Sequence, residues 1–137
     1  MKIVVSACLM GESCKYNGLD NYRRELVEAC ERTGTEVLLV CPEVFGGLPT
    51  PRKPSEIVNG EVRTCEGILV DREFRLGAQR ALDMCEQAGG PSEITACILQ
   101  DRSPSCGAGR IYDGTFSGKL TPVSYTHLRA HETRHDL

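Results

Sequence analysis

Three short apolar runs, "KIVVSAC", "TEVLLVC" and "EITACILQ", alternate along the chain with two amphipathic stretches. Each run has the length of a strand. Each is apolar at successive positions rather than alternate ones, so both faces of the strand need cover. A parallel sheet with helices on its two sides supplies that cover. The order is strand, helix, strand, excursion, helix, strand. It predicts an α/β fold with a parallel sheet and flanking helices.

The helical stretches carry their own limits. "DNYRRELVEACERTG" puts Leu26, Val27 and Cys30 on one face, with Asp20 or Asn21 as cap and Gly34 as stop. "DREFRLGAQRALDMCEQAGG" repeats Phe74, Ala78, Ala81, Leu82 and Cys85 at helical spacing, with Asp71 as cap and Gly89-Gly90 as stop. The excursion begins with "PEVFGGLPTPRKP", four prolines in thirteen residues, and is expected to hold no regular element. "SEIVNGEVRTCEGILV" follows, and Asn59-Gly60 predicts a hairpin turn. "RIYDGTF" reads as a short extended piece. No internal repeat is visible.

The 137 residues are enough for one core, and with no Trp that core must lean on aliphatic side chains. A net charge of −3 without any basic block argues against nucleic acid as a partner. No apolar run approaches the ~20 residues of a membrane span. "MKIVVSACLM" reads as a first strand rather than a signal peptide, so the expected compartment is cytoplasmic. The sequence leaves the oligomeric state open.

Eight cysteines are many for this length. In a reducing compartment disulfides are not expected. Cys30, Cys85 and Cys97 fall inside helix or strand patterns and read as plain core or surface residues. Cys8, Cys14, Cys41, Cys65 and Cys106 fall at element ends, among Gly, Pro, Ser or Asn. Cys8 ends the first strand and Cys41 closes the second. Cys106 stands in "DRSPSCGAG", the loop after the third. The carboxyl ends of parallel strands share one edge, and open α/β sheets bind ligands in the crevice there. The three thiols are therefore expected to converge.

Three thiolates without a nearby His suit a soft metal centre, either zinc or an iron–sulfur cluster, and bare thiol chemistry stays open beside them. No CxxC pair is present, and a structural zinc would need Cys14 as a fourth ligand. A cluster on three cysteines leaves one iron without a protein ligand. Glu43, two residues after Cys41, would share the crevice and can act as general acid or base. Ser103 and Ser105 can form turns or hydrogen-bond a ligand. Lys15, Tyr16 and Asn17 would border the site from the first loop.

Taken together, "VSACLMGESCKYNG", "VCPEVFGGLPTPRKPSEI" and "ILQDRSPSCGAGRIYDGTFSG" resemble a small bacterial and archaeal domain family linked to thiouracil desulfidases. The resemblance spans about residues 2–120. It implies a Rossmann-like α/β fold and a [4Fe-4S] cluster on Cys8, Cys41 and Cys106. It further implies catalytic roles for Glu43 and Ser103. Ser105, Tyr16 and Asn17, from their place beside the crevice, are the candidate substrate-binding residues. Cys14 matches a family position but is not expected to ligate. The implied substrate is a small thiolated pyrimidine. The implied reaction is non-redox: the open iron polarises the thiocarbonyl, water activated by Glu43 attacks the ring carbon, and uracil and hydrogen sulfide result.

The chain departs from the family at its end. After "DGTFSG" the family continues with a helix and a strand, whereas this chain runs to "PVSYTHLRAHETRHDL". His127, His131 and His135 are spaced for one helical face, but the tail lacks the apolar period of the missing elements. It resembles translated adapter sequence. The expected organisation is one domain over 1–120, truncated at its C-terminal end, and a non-native or disordered tail over 121–137. Two rival readings remain: a non-catalytic zinc-binding or interaction domain using Cys8, Cys14, Cys41 and Cys106, and a thiol redox protein.

Overall fold

The computed structural model describes residues 1–107 and 109–122. Strand β1 (Lys2–Ser6) lies at the centre of a parallel sheet. On one side it pairs with β2 (Glu36–Val40), in register from Lys2 opposite Glu36 to Ser6 opposite Val40. On the other it pairs with β5 (Ile94–Ile98), with a register shift between Lys2 and Ile3. The strand order is β2-β1-β5, and the parallel pairing is what crossovers that each carry a helix allow.

Alternate residues of β1 bury against different helices. Ile3 and Val5 pack with Cys30 and Leu26 of α1 (Arg24–Thr33). Val4 packs with Val40 and with Ala81, Met84 and Cys85 of α3 (Asp71–Gln87). Val5 is wholly buried and Val4 is 4 % exposed, so both faces are covered, as the unbroken apolar run requires.

Within the crossover from β2 to β5, ahead of α3, stands a hairpin, β3 (Ser55–Val58) with β4 (Glu61–Thr64). Its turn is Asn59-Gly60, both at positive φ (51° and 80°), as this tight hairpin turn demands. Val62 of β4 packs with Val70 and Phe74 at the start of α3. A second small hairpin, β6 (Arg110–Tyr112) with β7 (Leu120–Pro122), follows the sheet. Thr121 and Pro122, the first tail residues, thus pair with β6. The rest of the tail, 123–137, with His127, His131 and His135, lies outside the described residues.

Three local expectations need correction. The proline-rich excursion does hold a helix: α2 (Pro42–Phe45), a single turn. Proline is tolerated there because the first helical N–H has no intrahelical partner. Asp71 is not a cap. It occupies the first position of α3, its Oδ1 accepting from Val62 N at 3.1 Å and its Oδ2 from Arg75 Nε at 2.7 Å. Asp20 and Asn21 do not cap α1. Asp20 Oδ1 accepts from Tyr22 N at 3.0 Å in a local turn, and Asn21 reaches back to Cys8. Cys97 is a surface residue, because β5 is an edge strand among the described residues and its residues beyond Ile94 reach solvent.

Helix α2 rests directly on α3. A Cβ at Gly77 would overlap the carbonyl of Pro42, and one at Gly46 the carbonyl of Glu73. These two glycines set how closely the tip of β2 approaches α3. Gly77→Ala should therefore lower stability by about 1–3 kcal/mol through overpacking, although Ala is the better helix former by about 1 kcal/mol. Urea unfolding measures this; an unchanged or raised midpoint would contradict the close contact.

Candidate metal centre and catalytic site

The carboxyl ends of β1, β2 and β5 open into a cavity of about 620 Å³, within the size range of small-molecule sites. Five cysteines line it: Cys8, Cys14, Cys41, Cys65 and Cys106. They are the five that the sequence places at element ends. Cys8 sits in a 3₁₀ turn, Ala7–Met10, directly after β1, and Gly11 closes that turn at φ 99°. Cys41 is the residue between β2 and α2. Cys106 is held in its loop by Ser103, whose Oγ accepts from Ser105 N at 3.2 Å and from Cys106 N at 3.1 Å.

The sulfurs do not share one electrostatic state. Hydrogen bonding from Cys14 is the largest influence on Cys8, whose thiol is lowered to about 6 against the pull of burial, with help from Asn21. Asn21 Nδ2 stands 3.5 Å from Cys8 Sγ. Cys14 likewise lowers Cys41 to about 7. Cys14, whose single S–H serves one of the two sulfurs at a time, is itself pushed far above the ordinary thiol range by hydrogen bonding to Cys41 and Cys8. Burial raises Cys106 to about 12, opposed by hydrogen bonds from Ser6 and Ser105. Cys8 and Cys41 are thus disposed to be thiolates. Cys106 needs a nearby cation to join them.

Glu43, in the first turn of α2, has both carboxylate oxygens engaged. Oε1 accepts from Arg52 Nε at 3.1 Å and Oε2 from Ser105 Oγ at 3.0 Å. Ser105 Oγ lies 3.0 Å from Ser103 Oγ and 3.7 Å from Cys106 Sγ, so its single proton serves one acceptor at a time. The pair is nearly dry, with side chains 7 % (Arg52) and 13 % (Glu43) exposed.

Arg52 is the residue that sequence reasoning missed. Its Nη2 donates to Cys14 O at 2.9 Å, and its Nη1 to Pro49 O and Thr50 Oγ1 at 3.2 and 3.0 Å. One guanidinium thereby ties the loop after β1 to α2. In the sequence it is a lone Arg among prolines, with no spacing that marks it.

Tyr16 and Lys15 border the cavity as expected, and Ser103 and Ser105 line it. Asn17 is not a lining residue; its Oδ1 accepts from Leu19 N at 3.1 Å and shapes the loop.

Among the described residues no group of three or more His, Cys, Asp or Glu is arranged to hold a single metal ion. A closed zinc site on Cys8, Cys14, Cys41 and Cys106 finds no support there. A polynuclear cluster is a different case. It takes each thiolate on a separate iron, so its ligands line a common cavity without meeting at one point. Three thiols from three loops fit that requirement.

The family model described as 2-thiouracil desulfurase matches residues 3–131. The "Uncharacterized protein YbbK" of Bacillus subtilis (strain 168) is 35% identical over 127 residues, covering 85% of this chain and 80% of its own. Among solved structures, "[4Fe-4S]-dependent thiouracil desulfidase TudS" superposes with a TM-score of 0.86 at 41% identity, covering 98% of this chain and 85% of that one.

The Arg52–Glu43 pair should be strongly coupled. Arg52→Met leaves a dry carboxylate unpaired and should cost about 3–5 kcal/mol, as breaking a buried ion pair does. Adding Glu43→Gln should restore part of that loss. A double-mutant cycle by urea unfolding tests it; additive effects would contradict the coupling.

Proposed function

This chain belongs to the 2-thiouracil desulfurase family, and from that premise we propose how its own residues remove sulfur from thiouracil at a [4Fe-4S] centre. Cys8, Cys41 and Cys106 are the ligands. Their support is the shared cavity at the strand ends, the thiolate-favouring surroundings of Cys8 and Cys41, and a buried Cys106 that calls for a cation. When bound, the cluster supplies an iron free of protein ligands that accepts soft sulfur and polarises the thiocarbonyl.

The remaining work falls to the polypeptide. The net reaction is thiouracil and water giving uracil and hydrogen sulfide, with no change of oxidation state. Attack by water on the thiocarbonyl carbon needs a base for the water proton, and departure of sulfide needs that proton returned. Glu43 fills both roles. Arg52 fixes one carboxylate oxygen, while the other faces Ser105. Ser103 and Ser105 form a short hydroxyl path from Glu43 along which a proton can pass. Ser105 and Tyr16 line the wall the substrate would meet, and Asn17 acts through the shape of the Tyr16 loop.

The substrate is a small thiolated pyrimidine. No helix among the described residues is long and apolar enough to cross a membrane. No disulfide joins any of the eight cysteines, which suits a reducing, cytoplasmic setting.

The observation that carries this reading is the gathering of Cys8, Cys41, Cys106 and Glu43 around one cavity. Two variants test it. Glu43→Gln should keep the brown chromophore of the anaerobically reconstituted protein and lose about 10²–10⁴-fold in kcat toward 2-thiouracil; normal turnover refutes the role of Glu43. Cys106→Ala should lose the chromophore, and an unaltered absorption spectrum counts against ligation by that sulfur.

A further inference from the structure

The chain has seven Phe and Tyr residues and no Trp, yet Tyr16, Tyr112 and Phe116 all line the one cavity. Phe116 is the most unusually held. Its φ is 56°, in the left-handed region, where a bulky side chain costs on the order of 1 kcal/mol or more. Something must impose that conformation.

Glu56 of β3 does so. It is 8 % exposed, and its Oε1 accepts from Gly114 N at 2.9 Å and from Phe116 N at 3.3 Å. Gly114 can approach only because it lacks a Cβ, which would meet the Ile57 carbonyl at 2.5 Å. The loop's polar side chains also go into its own shape. Asp113 Oδ1 accepts from Thr115 N at 3.0 Å and from the Thr115 hydroxyl, which bonds Ser117 in turn. Asp113 N donates to Lys119 O at 3.0 Å and closes the loop over β6 and β7. Phe116 is the loop's one large apolar side chain, and the residue lines the cavity.

We propose that Phe116 is a substrate-binding residue whose ring stacks on the flat face of the pyrimidine, and that Glu56 is the positioning residue that holds it there. The inference deepens the desulfidase reading and rests on it for the ligand. Stacking suits a ligand that is planar and aromatic on its faces and polar only at its edge, and it accepts 2- and 4-thio isomers alike.

The test uses the anaerobically reconstituted protein. Phe116→Ala should keep the cluster spectrum, raise KM for 2-thiouracil roughly ten- to hundredfold and change kcat less. Phe116→Tyr should restore the wild-type KM, whereas Phe116→Leu, with bulk but no π face, should not. Glu56→Ala should raise KM on its own and add nothing to Phe116→Ala, as expected of a residue acting only through the ring. A wild-type KM in Phe116→Ala overturns the proposal, as does full rescue by Leu. Phe116→Trp supplies a readout free of turnover, since it installs the chain's only tryptophan. Its emission should change saturably with added uracil, and a flat titration overturns the stacking role. Should wild-type protein release no sulfide from thiouracil, the functional reading fails, while the tryptophan titration still decides whether the wall binds a pyrimidine.

Discussion

Parallel pairing on both sides of β1 is the constraint from which the site follows. Once β2 and β5 run the same way as β1, their carboxyl ends must lie along one rim. The turns that leave those ends then have no choice of neighbourhood. Burial of Ile3 and Val5 under α1, and of Val4 under α3, fixes the register, because a slip by one residue would exchange the two faces. Cys8, Cys41 and Cys106 are distant in sequence, and this brings their turns to one cavity at the rim.

Strand ends deliver the residues only roughly, and polar tethers do the finer placement. Gly46 and Gly77 let α2 settle against α3, which brings Glu43 to the cavity wall. Arg52 then joins Glu43 to the Cys14 carbonyl, so the acid and the first cysteine loop move as one unit. Ser103 organises the third loop through backbone N–H groups, leaving Ser105 to connect Glu43 with Cys106. A nearly dry carboxylate with a charged partner and a hydroxyl partner is oriented in advance, which suits the proton transfer from water proposed for Glu43.

How much of this the sequence discloses depends on the kind of signal. The three strands are legible because unbroken Val, Ile and Leu runs have few alternatives, and the Asn59-Gly60 turn because both positions need positive φ. The five cavity cysteines are legible because they stand at element ends, among Gly, Pro, Ser or Asn, although Cys8 and Cys106 prove to be buried there. Helix α2 is hidden by its prolines, although only Pro42 falls within it and at a position that tolerates it. Asp71, Asp20 and Asn21 look like caps from their spacing, but each has a stronger tertiary or local partner. Arg52 leaves no trace in periodicity, since its partners Glu43 and Cys14 lie on other turns. The exposure of Cys97 depends on which strand forms the sheet edge, and residue type does not say that.

The claim that ties these features together is that three loop cysteines hold one iron–sulfur cluster while Cys14 stands by as a hydrogen-bond donor. Diffraction at the iron absorption edge, from crystals of protein reconstituted without oxygen, tests it most directly. The account predicts anomalous density for a cluster in the cavity, bonded to the sulfurs of Cys8, Cys41 and Cys106, with one iron carrying no protein sulfur and Cys14 unbound. A single ion in that cavity, a bond from Cys14 to metal, or iron density anywhere else would contradict it.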